Sequence, residues 1–418
     1  MAKLAIKGGT PVAPNGLKSQ WPVFDEREEK LLLEVLHSGK WFRGCYQDQN
    51  LSRVGQAERE FAKFLGAKYG VAVTNGTTAI EIALKAGGIE AGDEVIVPAV
   101  TFVASATAIV LVNAIPIFVD VEPDTYQISP DAVESAITDR TKAIEVVHYG
   151  GYPADMDRIM EIAKKHNLLI VEDCAEAHGS EWRGQKVGTI GDMGAFSFQM
   201  GKPLTCGEGG IVTTNDEGLA AKCYAYHNLG RLPGAPLYEH SVVAWNYRMT
   251  EFQGAILLGQ MTRLREQTEI RYQNGEYLAR ELEKIGGVQA LKRDLRVTKR
   301  GYYFYFIRYN SKEFGGLPRS KFMESLNAEG IDTHTAHNQP LYKNKVFVEM
   351  YFGRTGCPVR CPIYGKEINY SKVHCPQAER IYAEEVVSLG KDFLIYRENV
   401  DLIIAAIRKI KENLSELI

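Results

Sequence analysis

Between Gly70 and Val212 the chain alternates short apolar runs with amphipathic stretches, a rhythm that few folds can satisfy. The runs GVAVTN, VIVPA, IPIFVDV, AIEVVHY and LLIVEDC read as buried strands, and residues 78–85, 105–111, 130–137 and 156–165 between them carry helical spacing. Such alternation implies βαβ crossovers and a mainly parallel sheet covered by helices on both faces. A ligand is then expected beyond the carboxyl ends of the strands. GAFSFQ and GGIVTT predict two further strands around a Gly-rich loop.

Residues 95–119 contain no charge, a length that would suffice for a membrane span. Pro98, Asn113 and Pro116 interrupt it, and its texture passes from β-branched to small and helical and back, so a buried strand, helix and strand is expected instead. Beyond residue 250 the rhythm changes. Residues 251–285 predict one long helix or two, GYYFYFIRYN an antiparallel strand with one exposed face, and 319–329, 377–385 and 399–414 further helices of a smaller α+β unit. The first seventy residues show no clear strand ladder.

A chain of 418 residues has room for two to four domains. With 49 Lys+Arg against 52 Asp+Glu and no block of like charge, neither nucleic acid nor anionic lipid is an expected partner. Seven cysteines without a secretory leader read as a reducing cytosol, so the expected location is cytoplasmic. Cys357, Cys361, His374 and Cys375 match no common zinc spacing, and no metal site is expected.

Three local features carry chemistry. Asn75-Gly76-Thr77-Thr78 falls between a strand and a helix, where free N–H groups and hydroxyls suit a phosphate; alone it equally suits a plain helix cap. Asp173 closes a buried strand, where a carboxylate needs a cationic or strongly donating partner or else merely caps a turn. Lys202 follows the strand that carries Ser197 and precedes a loop with three glycines, where its amine could be desolvated for imine chemistry. In that order on an α/β scaffold they describe a pyridoxal phosphate (PLP) site. The lysine carries the cofactor, the aspartate holds the pyridine proton, and hydroxyls hold the phosphate. His178 is a candidate to tune Asp173 through a hydrogen bond, or else a packed core histidine.

TNGTTAIEIAL, GDEVIVPAVTFVASATAI, HYGGYPADMD, VEDCAEAHGS, FSFQMGKPLTCGEGGIVTT and NYRMTEFQGAILLGQ resemble the sugar aminotransferases of the DegT/DnrJ/EryC1/StrS group. The resemblance implies a PLP transferase of fold type I: a mainly parallel seven-stranded sheet sandwiched by helices, with a smaller α+β C-terminal domain. Residues 1–30 are expected to pack on the small domain, 31–255 to bind the cofactor and 256–418 to form the small domain. It implies Lys202 as the imine-forming catalytic lysine, Asp173 as partner of the pyridine nitrogen and Phe102 as the ring stacked on the cofactor. Thr77, Thr78 and Ser197 would hold the phosphate, and Asn246 would reach the phosphate of a neighbouring subunit, hence a homodimer with shared sites. Glu176 stands near the cofactor's phenolic oxygen, where many members have Gln.

The implied activity is two half-reactions, glutamine or glutamate as donor and a keto compound as acceptor. FSFQMGK, GYYFYFIRY and KEFGGLP look most like the keto-inositol branch; aminohydroxybenzoate synthases and nucleotide-keto-sugar aminotransferases are the alternatives, and a non-catalytic PLP-binding regulator is the reading from another class. Trp41, Arg43, Trp245, Arg248, His334 and His337 are candidates for the substrate mouth, each also compatible with a structural role.

Overall fold

The computed structural model describes residues 3–236, 238–350 and 352–418. Strands β1 (Tyr69–Val73), β2 (Glu94–Pro98), β3 (Ile115–Val119), β4 (Thr141–Val147), β5 (Leu169–Asp173), β6 (Met193–Ser197) and β7 (Gly210–Thr214) form one sheet, ordered β1-β7-β6-β5-β4-β2-β3. Neighbours are parallel except for β7, which runs antiparallel to β1 and β6. The chain between β6 and β7 contains no helix, so no crossover carries it back to the start of the sheet and β7 must return alongside β6.

Helices α1 (Glu26–Ser38), α2 (Arg53–Leu65), α3 (Gly76–Ala86), α4 (Val103–Leu111), α5 (Pro130–Ala136), α6 (Met156–His166) and α7 (Glu217–His227) precede one 35-residue helix, α8 (Glu251–Ile285). The uncharged residues 95–119 become β2, α4 and β3, as their changing texture predicts. Among the described residues no helix is long and apolar enough to cross a membrane.

Two hydrophobic clusters form around the large sheet. One joins Ile80, Ile96, Ala106, Ile109, Ile144 and Ile170; the other, beneath α2 and α8, joins Val54, Phe61, Phe196, Phe198, Ile211 and Leu257. A third core unites Leu278 and Leu282 of α8 with an antiparallel sheet of β8 (Val288–Ala290), β9 (Phe304–Tyr309) and β10 (Val386–Gly390), and with α9 (Arg319–Ala328) and α10 (Arg397–Glu412). The expected boundary at 255/256 thus falls inside α8, whose first half serves one core and whose second half serves another. Leu4 and Ala13 join the third core, and buried Glu329 accepts the Ala5 and Val12 amides, each at 2.9 Å.

Two local differences from the sequence reading have clear causes. Residues 341–382 cross back onto the large sheet, where Tyr342, Phe347 and Tyr370 pack around Phe118 and the Tyr370 hydroxyl donates to the Pro116 carbonyl at 3.0 Å. These aromatics cover edge strand β3, which a parallel sheet would otherwise leave bare. The helix expected over 377–385 is α-helical over Pro376–Arg380, widens into a π-turn over Ile381–Glu385 and continues directly into β10.

Candidate active site

The carboxyl ends of β1, β5 and β6 converge on one spot. Beyond β1, Asn75 caps α3: its side chain accepts the Thr78 amide at 2.9 Å, while its own amide donates to Thr78 Oγ1 at 3.2 Å. The Thr78 hydroxyl also donates to the Asn75 carbonyl at 2.9 Å, so it closes the cap, with Thr77 half-buried in the first turn beside it.

Two glycines draw these parts together. A Cβ on Gly76 would lie 2.7 Å from Ser197 Cβ and 3.2 Å from its Oγ, and one on Gly210 would strike the Asn75 carbonyl oxygen at 2.3 Å. The N-terminus of α3, the Ser197 hydroxyl and the start of β7 therefore touch, forming a cradle whose free amides and helix dipole favour an anion. A phosphate ester fits this donor set.

Asp173 ends β5 almost fully buried. Burial pushes its carboxyl above the ordinary range, opposed first by the Ala175 amide on Oδ1 at 3.0 Å, then by the Ser105 hydroxyl on Oδ2 at 2.8 Å, and by the charge of Lys202. A carboxylate so placed gains most from a partner that brings a proton or positive charge, such as a pyridinium nitrogen. Ser105 lies on α4, whose N-cap is Phe102, so one helix carries both the donor to Asp173 and the ring expected to stack on the cofactor. Phe102 is half-exposed and its centroid lies 5.7 Å from that of His337.

Lys202 sits in the turn after β6, its amide donating to the Gln199 carbonyl at 2.8 Å. Its Nζ lies 3.7 Å from Glu176 Oε1 and 4.1 Å from the centre of the Tyr303 ring. Glu176 Oε2 accepts the Gly150 amide at 2.7 Å. Burial raises the Glu176 carboxyl, opposed chiefly by Lys202. Lys202, Asp173, Glu176, Ser197, Thr77, Thr78 and Phe102 are thereby gathered in one chain. Asn246 is exposed in a bridge to Asn228 and touches none of them.

His178 does not hydrogen-bond to Asp173: neither ring nitrogen has a partner. The ring is fully buried among Phe61, Phe196 and Phe198, and burial, reinforced by Lys202, lowers its pKa to about 3. Packed in this way, His178 is a neutral core side chain. Of the mouth candidates, Arg43 is buried against Glu58 at 2.7 Å, Trp245 stacks on Tyr247, and Arg248 bonds Asn228 at 3.0 Å. Trp41 is half-exposed beside Phe252, and His334 pairs by its backbone with Ser388. Only His337 among them lies against Phe102.

The sequence reading omitted Ser105, Gly150, Tyr149 and Tyr303. Gly150 carried a signal, since HYGG suggests a turn, and its positive φ of 67° suits the amide that meets Glu176. Tyr303 was hidden in an aromatic run that alternates as a strand, yet it precedes β9 and faces Lys202. Cys357 and Cys361 are half-buried, Cys375 is buried, and His374 bonds Glu379 at 3.0 Å. Among the described residues, the donor atoms that converge as a metal set would are those of His148, Glu172 and Cys174. There the Glu172 carboxylate is already filled by His148 at 3.0 Å and by the amides of Gly188, Ile190 and Gly191.

The geometry agrees with comparisons to known proteins. The DegT/DnrJ/EryC1/StrS aminotransferase family matches residues 22–359. L-glutamine:scyllo-inosose aminotransferase of Streptomyces griseus is 36% identical over 426 residues, covering 100% of this chain and 99% of the relative. GDP-perosamine synthase of Caulobacter vibrioides is 39% identical over 71% of this chain and 82% of its own. The crystal structure of 3-amino-5-hydroxybenzoic acid synthase superposes with a TM-score of 0.82 at 31% identity, over 94% of this chain and 100% of that one. This chain belongs to the DegT/DnrJ/EryC1/StrS aminotransferase family and is a PLP-dependent aminotransferase.

Proposed function

We propose that the enzyme transfers the amino group of glutamine or glutamate to a cyclic ketone of the keto-inositol class, using pyridoxal 5'-phosphate attached to Lys202. The observation that carries this reading is the meeting of Lys202, buried Asp173 and the Gly76–Ser197 cradle at the carboxyl ends of three strands. The cyclitol assignment draws on the end-to-end match to an inosose aminotransferase, whereas the sugar-nucleotide relative matches over 71% of the chain.

When bound, the cofactor supplies an electron sink for the carbon that loses or gains a proton. Asp173 retains a proton on the ring nitrogen, and Ser105 and the Ala175 amide hold that carboxylate in place. Lys202, on a flexible stem between Glu176 and Tyr303, moves the proton at the substrate carbon as a positioned general base. The α3 N-terminus, Thr77 and Ser197 would hold the phosphate, Thr78 would act by keeping the Asn75 cap closed since both its donors are spent there, and Phe102 would stack on the ring. Glu176, anchored by Gly150, lies beside the lysine and bears on its charge.

Asn246, exposed and apart from this set, is assigned to a second subunit's phosphate, which makes the working unit a homodimer. Support comes from apolar side chains left open around α1: Phe24 is 70% exposed, Trp41 51% and Phe42 43%, beside a hollow of about 750 Å³ lined by Pro22, Phe24, Leu33, Met200 and Ile256. Patches of this kind mark interfaces. A sugar-nucleotide acceptor is the second reading, favoured by the perosamine synthase match.

The deciding experiment loads the enzyme with cofactor, aminates it with glutamine, and then offers keto-inositols or nucleotide keto-sugars while following the cofactor's absorbance. Recovery with keto-inositols is expected. Recovery with nucleotide keto-sugars alone would move the enzyme to the second reading, and failure to accept an amino group at all would favour a non-catalytic regulator.

A further inference from the structure

His337 occupies a strap that joins the two sheets. Upstream, His334 exchanges backbone hydrogen bonds with Ser388 of β10 at 2.7 and 3.0 Å; downstream, the Leu341 amide donates to the Ala99 carbonyl, just past β2, at 2.8 Å. Between these anchors Ala336 adopts a left-handed conformation with φ 56°. The imidazole is thereby set in an aromatic box, with centroids 5.7 Å from Phe102, 5.7 Å from Tyr149 and 6.3 Å from Phe304.

One nitrogen is committed. Tyr149 Oη lies 3.0 Å from His337 Nδ1 and 3.4 Å from the hydroxyl of Tyr382. Burial raises the Tyr149 phenol well above its ordinary value, so it stays a hydroxyl and a proton donor. Burial, then Lys202, then His334 lower the imidazole to about 4, so at neutral pH it carries one proton. In the arrangement where Tyr382 donates to the Tyr149 oxygen and Tyr149 gives its single proton to Nδ1, the imidazole proton lies on Nε2.

We propose that His337 is a substrate-orienting residue, whose Nε2–H donates to a ring oxygen of the keto acceptor, with Tyr149 as the positioning residue that fixes its tautomer. The inference rests on the functional reading above and names the group that meets a polyhydroxylated ring. An uncharged donor suits a neutral hydroxyl or carbonyl oxygen, whereas the carboxylate of the amino donor calls for a charged partner. Its place against Phe102 puts it beside the expected cofactor stack and not at the phosphate end.

The test separates the two half-reactions by stopped-flow absorbance of the loaded enzyme. His337→Leu is expected to lower the second-order constant of the acceptor half-reaction by roughly 10-fold, at least about 5-fold more than that of the donor half-reaction. His337→Gln, which can place an amide N–H near the Nε2 position, is expected to restore most of it. Tyr149→Phe should weaken the acceptor half-reaction less than His337→Leu does. Independently, nitrogen-15 spectra of labelled histidine in the wild type should show the His337 proton on Nε2. Equal losses in both half-reactions, no rescue by His337→Gln, or a proton on Nδ1 would each overturn the proposal. If the wild type accepts no amino group from glutamine, the functional reading itself falls, and the tautomer spectrum still decides the Tyr149–His337 arrangement.

Discussion

Glu176 holds the Gly150 amide with one carboxyl oxygen at 2.7 Å and presents the other to Lys202 Nζ at 3.7 Å. A buried acid and a largely covered amine share this space, and burial, the larger influence, drives the acid's pKa upward. Glu176→Gln keeps an oxygen for Gly150 and removes the titration. The kcat/KM profile of the wild type is expected to fall on its acid side at a pH above the ordinary carboxyl range, and the variant to lose that inflection while retaining turnover within about 10-fold. Identical profiles would show that Glu176 does not titrate in catalysis.

The cradle is tested through Gly76. Its Cβ would lie 2.7 Å from Ser197 Cβ, so Gly76→Ala must displace either the helix start or the serine. Titration of the apoenzyme with PLP is expected to show affinity weakened roughly 10-fold or more, a loss of the size a displaced charge-assisted contact implies. Gly390→Ala, where an added Cβ meets nothing within 4 Å, is the control and should bind within about 2-fold of the wild type.

Ser105→Ala removes the hydroxyl that donates to Asp173 Oδ2 at 2.8 Å. Hydrogen bonds to charged groups contribute about 1.5–3 kcal/mol, so turnover is expected to fall roughly 10- to 100-fold. Asp173→Asn should be more damaging, because it loses the charge as well. Steady-state kinetics that rank Ser105→Ala below Asp173→Asn would contradict the arrangement.

Glu145 on β4 is fully buried with neither carboxyl oxygen partnered, and burial, reinforced by Asp173, raises its pKa well above the ordinary value. In the pH range between the unfolded and folded pKa values the folded state binds more protons, so stability declines as pH rises through it. Glu145→Met is therefore expected to stabilise the protein by about 1–3 kcal/mol, with the gain larger at pH 8 than at pH 5. Urea unfolding at the two pH values checks this; a gain equal at both would mean that Glu145 is not held protonated by burial.

Asp173 and Lys202 were legible because each sits at a strand end fixed by local pattern, and strand ends are where an α/β sheet binds its ligand. So was the sheet, whose apolar runs could be buried in few other ways. Glu176, Tyr303 and His337 could be named or overlooked but not placed, since their meeting depends on turns that join separate segments: Gly150 to Glu176, 26 residues apart, and Lys202 to Tyr303, about a hundred apart. Arg43 and His178 looked functional by residue type, yet Glu58 satisfies the first and three phenylalanines enclose the second. Composition carries no information on such pairings. The return of residues 341–382 over β3 was equally invisible, because its aromatics lack a helical or strand period and gain meaning only from the edge they cover.

Shared sites are tested by mixing. Lys202→Ala and Asn246→Ala subunits, each nearly inactive alone, are expected to regain up to about a quarter of wild-type activity in an equal mixture, because about half of the dimers are then heterodimers and each of these has one of its two sites intact. Verified heterodimers without recovery would place Asn246 outside the neighbouring site.

The most direct measurement of the account is borohydride reduction of the yellow, cofactor-loaded enzyme followed by peptide mass mapping. The pyridoxyl group is expected on Lys202 in about one copy per chain, with none on the Lys202→Ala variant. A label on another lysine, or a protein that stays colourless and unlabelled with excess PLP, would contradict the claim that the Lys202–Asp173 geometry is an aminotransferase centre.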